Sequence, residues 1–241
     1  MFKQMASVFS FLTIIPAGNS DLQTVARHMY LFPIIGVAIG LVVGGTAYGL
    51  SFFLEPLVVA LLAAASLALI TGIHHTDGLA DFADGLMARG TRERKWQIMR
   101  DPSVGTAGIV TIVLYVAGIV IALSSIRGLD LFVAIVASEI IAKFSMVLLA
   151  SVGPSAWDGS NTKFVDSMKD KKRLALAAAI TLILLVIVQN GTAFVALGAA
   201  IAIALVIVAV SRRSFGGISG DIMGATNEMT RLASLLVFAS A

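Results

Sequence analysis

A chain of 241 residues that is 58% hydrophobic and only 13% charged carries more apolar surface than a soluble domain of this size can bury. With a mean hydropathy of +0.96, its solvent is a bilayer, and no long polar segment remains for a separate soluble domain. The absence of cysteine excludes disulfides, thiolate nucleophiles, iron–sulfur clusters and cysteine-bound zinc, and a net charge of +3 gives no reason to expect a nucleic-acid partner.

In chain order, "MFKQMASVFSFLTIIP" is too short to span and lacks a small-residue cleavage site. It reads as an interfacial helix within an N-terminal segment, residues 1–30. A helix needs about 20 apolar residues to cross a bilayer. Candidate spans are Leu31–Leu54, Leu57–Ile73, Gly108–Ile126, Leu131–Ser151, Leu174–Gln189 and Thr192–Val210, with a partly polar seventh from about Asp221. The expectation is an all-α integral membrane protein, one catalytic domain over residues 1–241, built as a polytopic bundle of six to seven helices. Gly36, Gly40 and Gly44, four apart, form a face for close helix packing.

Three long polar segments remain, His74–Ala107, Val152–Arg173 and Ser211–Thr230. If the spans alternate, all three fall on one side with the N-terminus. That side carries Lys3, Arg27, Arg89, Arg92, Arg94, Lys95, Arg100, Lys163, Lys169, Lys171, Lys172, Arg173, Arg212 and Arg213, and the other carries Arg127. The positive-inside rule then places the long loops in the cytoplasm.

The most informative stretch is "HHTDGLADFADGLMARG", His74 to Gly90. On a helix, Asp81 lies about 40° and Asp84 about −20° from Asp77, so three carboxylates share one face. Such crowding calls for a cation, and hard oxygen ligands suit Mg²⁺, with Mn²⁺ the alternative. His75 is placed to tune the site or to bind phosphate. The plainer reading is a solvated helix end, but apolar Leu79, Phe82, Leu86 and Met87 are sorted away from the acids. The spacing is not that of an EF-hand, and no Walker A loop is present.

"SFGGISGDIMGATNEMTR", Ser214–Arg231, has a related character, and residues 211–230 form a glycine-rich acidic segment. Asp221 and Glu228, seven apart, share a helix face and are candidates for a catalytic base, with Asp221 also a candidate metal ligand. Gly216, Gly217 and Gly220 allow backbone to approach a ligand as a phosphate cradle, with Asn227 beside them. Arg89 and Arg100 are candidate phosphate forks. Asp101 in "DPS" fits substrate binding or an N-cap before the third span equally well. Glu139 and Lys143, four apart inside the fourth span, are either a structural ion pair or a functional one. In the loop 152–173, Trp157, Asp158, Asn161 and Lys163 either close over a large substrate or form an ordinary interfacial turn.

"DFADGLMAR" fits D-x-x-D-G-x-x-A-R and so resembles the first half of the signature of CDP-alcohol phosphotransferases. The second half, G-x-x-x-D-x-x-x-D, is missing. A more specific resemblance covers the chain from about residue 9 to residue 231. "FLTIIP", "HTDGLADFADG", "RERKWQIMRDPSVGTAG" and "GGISGDIMGATNE", in order and with spans between, resemble the adenosylcobinamide-GDP ribazoletransferase (cobalamin 5′-phosphate synthase) family. That family's usual HLDG reads HTDG here. The resemblance implies a Mg²⁺-dependent membrane enzyme of late cobalamin synthesis. It would join adenosylcobinamide-GDP to α-ribazole or its 5′-phosphate and release GMP. Asp77, Asp81, Asp84 and Asp221 would then hold the metal. A homo-oligomer, or a complex with other cobalamin-assembly enzymes, stays open. Two other readings remain at this point. One is a CDP-alcohol phosphotransferase of phospholipid synthesis, against which the incomplete signature counts. The other is a cation- or proton-coupled transporter, against which the acids' position at span ends and the lack of an inverted repeat count.

Overall fold

The computed structural model describes residues 2–18 and 21–241, without the side chain of Ser160. Met1, Asn19 and Ser20 of the N-terminal segment lie outside it. Among the described residues twelve α-helices run in the order α1 (Phe2–Leu12), α2 (Leu22–Arg27), α3 (Phe32–Leu50), α4 (Pro56–Ile70), α5 (His74–Met87), α6 (Arg92–Met99), α7 (Thr106–Ser125), α8 (Gly128–Val152), α9 (Ser160–Met168), α10 (Lys171–Val188), α11 (Thr192–Phe215) and α12 (Gly220–Ala239). A single turn of 3₁₀ helix, Met29–Leu31, leads into α3. Among the described residues there is no sheet, only an isolated bridge between Ser155 and Ile218. The chain is an all-α polytopic membrane protein.

Among the described residues four helical stretches are long and apolar enough to cross a membrane: Met29–Leu50, α7, α8 and α11. The pair α4 and α5 qualifies as a fifth if taken as one span, bent by 90°. The six-to-seven expectation counted α10 and α12 as well. These are helices of 18 and 20 residues, but α10 opens on Lys171, Lys172 and Arg173 and α12 carries Asp221, Glu228 and Arg231. The outward side chains fit a bilayer: Ile109, Val110, Val113 and Leu114 on α7 and Leu182, Ile183, Val186 and Ile187 on α10 are all exposed.

α8 is the hub. Its middle, from Ala134 to Val147, is buried without interruption. α3 reaches it through the expected glycines. A Cβ on Gly36 would come within 2.5 Å of the Glu139 carbonyl oxygen, and one on Gly40 within 2.7 Å of the Val136 Cα. Small residues here are what lets two backbones meet.

The polar segments are folded rather than looped. Where a span to Ile73 was expected, α4 stops at Ile70, and the chain turns through Gly72 (φ 70°) and Ile73 (φ 65°) before α5 starts. Left-handed φ at a β-branched isoleucine costs on the order of 1–3 kcal/mol, so the surroundings must hold this elbow in place. Part of that hold is visible: the Ile14 amide, just past α1, donates to the Ile70 carbonyl at 2.8 Å. α1 itself packs through Val8 and Leu12, both buried, while Phe2 stays exposed.

Candidate active site

α5 carries the acids as its sequence spacing requires. Asp77 is exposed, and Asp81 and Asp84 are half-buried. The fourth carboxylate comes from the other end of the chain. Gly78 lies so close to α12 that an added Cβ would sit 2.7 Å from the Asp221 carbonyl oxygen. A Cβ on Gly224 would likewise lie 3.1 Å from the His75 Cα. These two glycines let α5 and α12 run against each other, and so bring Asp221 to the α5 acids. The charges of Asp77, Asp221 and Asp84 all act on Asp81. No group of three His, Cys, Asp or Glu side chains is already closed around a cation position among the described residues.

The donor set nonetheless fits Mg²⁺ chemically. Its ligands are hard oxygens, and Mg²⁺ usually takes one or two carboxylates and fills the rest of its shell with water and phosphate oxygens. Asp84 has a further task. The Gly105 amide donates to its Oδ2 at 2.7 Å and the Gly108 amide to its Oδ1 at 2.9 Å. Gly105 is the N-cap of α7 and offers no capping side chain. Asp84 therefore supplies the missing cap from another helix, leaving Asp77, Asp81 and Asp221 less encumbered.

Asp101 does not cap α7, contrary to the N-cap reading. It lies four residues before the cap and closes a local turn, accepting from the Ser103 hydroxyl and, at 2.9 Å, from the Ser103 amide. These bonds hold its carboxyl below the usual range.

Arg100 stands beside the cluster. Its guanidinium lies over the Trp157 ring at 4.5 Å from the centroid, and its charge bears on Asp221. Trp157 in turn packs on Trp96, with ring centroids 5.4 Å apart, and Trp96 donates to the Phe215 carbonyl at 2.9 Å. The aromatic residue of the 152–173 loop thus orients an arginine. Asn161 of the same loop is buried and ties it to α12's approach, donating to the Ser155 hydroxyl, the Trp157 carbonyl and the Ile218 carbonyl. Arg89 sits past the end of α5, exposed, with no hydrogen-bond or ion-pair partner among the described residues.

The glycine-rich turn divides in two. Gly216 is the left-handed cap of α11 (φ 85°) and faces Arg92. Gly217 is pressed against the Pro154–Ala156 backbone, where Ile218 and Ala156 exchange bonds with Pro154 and Ile218. Both are engaged in chain packing rather than in an open cradle. Gly220 alone of the three is exposed, with open space where a Cβ would be.

Glu228 and Asn227 were expected beside Asp221, but both are fully buried. They belong to an ion network across α7, α8 and α12. Lys143 donates to Glu139 at 3.2 Å and to the Asn227 carbonyl oxygen at 2.8 Å. Asn227 donates to Glu228 at 3.0 Å. Arg231 pairs with both Glu139 and Glu228, and the Tyr115 hydroxyl joins Glu228 and Arg231. Two acids and two bases balance, which is what permits four charges to be buried together. A Glu228 carboxylate so engaged is poorly disposed to accept a substrate proton. His75 borders this network, its Nδ1 3.9 Å from Glu228 and without a hydrogen-bond partner among the described residues. Sequence spacing pointed to the Glu139–Lys143 pair, but Tyr115 and Arg231 were missed. Tyr115 had a signal, a phenol set in the otherwise apolar run of α7, whereas Arg231 follows the polar stretch Thr226–Thr230 and does not stand out.

The fold and the acid cluster define an all-α membrane protein whose polar chemistry is gathered between an acidic helix and the start of the last one. The comparisons give the family. A model described as cobalamin-5-phosphate synthase matches residues 4–239. An adenosylcobinamide-GDP ribazoletransferase of Bradyrhizobium diazoefficiens is 35% identical, with 96% of this chain and 91% of the relative covered. One of Archaeoglobus fulgidus is 34% identical over 97% and 95%, and one of Methanocella arvoryzae 31% over 96% and 93%. No solved structure matches. The chain belongs to the cobalamin-5-phosphate synthase family and is a transferase of cobalamin synthesis.

Proposed function

We propose that the protein transfers the adenosylcobinamide-phosphate group of adenosylcobinamide-GDP to α-ribazole or its 5′-phosphate, with release of GMP. The observation that carries this reading is the meeting of Asp77, Asp81 and Asp84 on α5 with Asp221 on α12, beside an arginine held on Trp157. An acid cluster facing a cation of the protein's own is suited to a diphosphate and its counter-ion. Asp77 and Asp81 would hold Mg²⁺, with the outer lone pairs of Asp84 within the same face and Asp221 left free to take the acceptor's proton. When bound, the ion neutralises charge on the diphosphate as GMP departs.

The remaining work falls to the chain's own residues. A ribose hydroxyl of the acceptor attacks the phosphorus that carries cobinamide. The new P–O bond forms as the bond from that phosphorus to the oxygen bridging to GMP breaks, and the electron pair leaves with GMP. Arg100 orients the diphosphate. The acceptor's proton goes to a carboxylate, and Asp221 is better placed for this than Glu228. Asp221 is partly exposed and accepts from the Ser219 hydroxyl at 3.2 Å and from its own backbone amide, whereas Glu228 is saturated by Tyr115, Arg231 and Asn227. The basic residues on the side of the acid cluster favour a cytoplasmic active site in a prokaryotic cell membrane.

The test is GMP release by the purified protein in detergent or liposomes, given adenosylcobinamide-GDP, α-ribazole and Mg²⁺. The expected result is release that needs all three and is lost in Asp81→Asn. CMP release from a CDP-alcohol, or no nucleotide release from folded wild type, would refute the reading.

A further inference from the structure

A cavity of about 230 Å³ counts Asp221, His74 and His75 among its lining residues but none of Asp77, Asp81 and Asp84. Its apolar wall comes from four separate helices: Phe11 of α1, Phe32 of α3, Phe164 of α9 and Met223 of α12. The three phenyl rings form a cluster, Phe11 lying 6.3 Å from Phe32 and 5.6 Å from Phe164 between centroids. Asp221 and Gly220 are at its edge.

We propose that this cavity seats the aromatic base of the acceptor nucleoside and sets its sugar hydroxyl at Asp221. The proposal rests on the transfer reaction above and adds where, and by what chemistry, the acceptor is recognised. Size decides first. Pockets for whole drug-sized ligands run to about 300–1,000 Å³. A cavity below that range takes a bicyclic ring and excludes a corrinoid. Wall chemistry decides next. Phenyl rings tilted at 32° and 36° to one another favour a flat, alkylated aromatic ring by stacked and edge contacts.

Hydrogen bonding decides between bases. Asn161, on the cavity wall, has committed its amide hydrogens to Ser155, Trp157 and Ile218. Thr71 has committed its hydroxyl to the Leu67 carbonyl at 2.9 Å. His75 turns its Nδ1 toward Glu228, at 3.9 Å, and so toward the ion network, which leaves His74 and the Asp221 carboxylate as the polar side chains at the cavity. A guanine or cytosine ring set against Phe11, Phe32 and Phe164 would turn polar edges to an apolar wall, at a cost in binding. A dimethylbenzimidazole, with one ring nitrogen free once the other is glycosylated, has almost none to turn. Gly220 supplies the exit: open space in place of a side chain lets the sugar, and a 5′-phosphate, pass outward beside Asp221.

The natural absence of cysteine gives a direct test on the full-length protein. Leu22, half-buried on the cavity wall, is replaced as Leu22→Cys and alkylated with a maleimide. Free 5,6-dimethylbenzimidazole should slow labelling, whereas guanosine should not. In parallel, α-ribazole binding is measured without Mg²⁺ or the GDP substrate, in wild type, Phe11→Ala and Phe11→Leu. Phe11→Ala should weaken α-ribazole about tenfold, the scale of a lost aromatic contact with its burial, and Phe11→Leu should weaken it less. Affinity for adenosylcobinamide-GDP should not change in either. Equal loss of both ligands, unaltered α-ribazole binding in a folded Phe11→Ala, or equal protection by guanosine would each overturn the assignment. If wild type releases GMP while these results fail, the acceptor seat is wrong and the reaction stands. If wild type releases no GMP, the reaction itself is wrong.

Discussion

The carboxylate of Asp84 caps the helix that begins beside Gly105 and Gly108, accepting both amides at 2.7 and 2.9 Å across more than twenty residues of chain. The glycines are needed on their side: a Cβ on Gly108 would stand 2.6 Å from Asp84 Oδ2. An acid chosen by sequence as a metal ligand is thus also a fastening between α5 and α7.

It follows that Asp84→Ala should destabilise the protein by about 1–2 kcal/mol, the scale of a lost charged N-cap. Gly108→Ala should act in the same direction, because the carboxylate must move aside. Thermal unfolding in detergent measures both. An Asp84→Ala protein as stable as wild type would show that the cap does not matter.

Asp81 should behave in the opposite way. It is crowded by Asp77, Asp221 and Asp84, so neutralising it relieves repulsion. Asp81→Asn should be at least as stable as wild type without metal, yet lose GMP release by at least about a hundredfold. Mg²⁺ should raise the Tm of wild type and not that of Asp81→Asn. A mutant that melts early, or one that keeps its response to Mg²⁺, would contradict this account.

The buried network yields a test of charge balance. Arg231→Met leaves Glu139 and Glu228 facing Lys143 alone and should cost about 3–5 kcal/mol. Adding Glu228→Gln restores one charge of each sign, the Glu139–Lys143 pair, and should recover part of the loss. The yield of monodisperse protein and its melting temperature report the difference. If the double variant is worse than the single by the full sum, the balance argument is wrong.

Trp157 should matter to the substrate through Arg100. Removing the ring in Trp157→Ala releases a guanidinium held at 4.5 Å, a contact worth about 0.5–2 kcal/mol. The KM for adenosylcobinamide-GDP should rise roughly twofold to thirtyfold, with Trp157→Phe retaining most of the affinity. An unchanged KM with a lowered kcat would place the ring elsewhere in the cycle.

Periodicity revealed the helices, the glycine face of α3 and the common face of Asp77, Asp81 and Asp84, because each depends on neighbours within two turns. What it did not reveal depends on contacts between distant segments. An isoleucine at φ 65° gives no signal in sequence, so the elbow after α4 looked like the end of a span. Asp84 reaches amides that belong to the next span. Glu228 shares Asp221's face by spacing, as expected, but a helix face cannot tell whether its deeper turn meets solvent or the charges of α8. Glu139 and Lys143 were legible as a pair four apart, and their partners Asn227 and Arg231 lie on another helix altogether.

The pressing of Gly78 against Asp221 has a consequence for biogenesis. The acidic helix leaves the ribosome early, and its carboxylates meet their fourth member only when the last helix has been made and inserted. Until then the half-built cluster has no counterpart on α12, and the ion network across α8 lacks its arginine. Synthesis of α12 is therefore a physical precondition for the site, and a product truncated before it should lack activity.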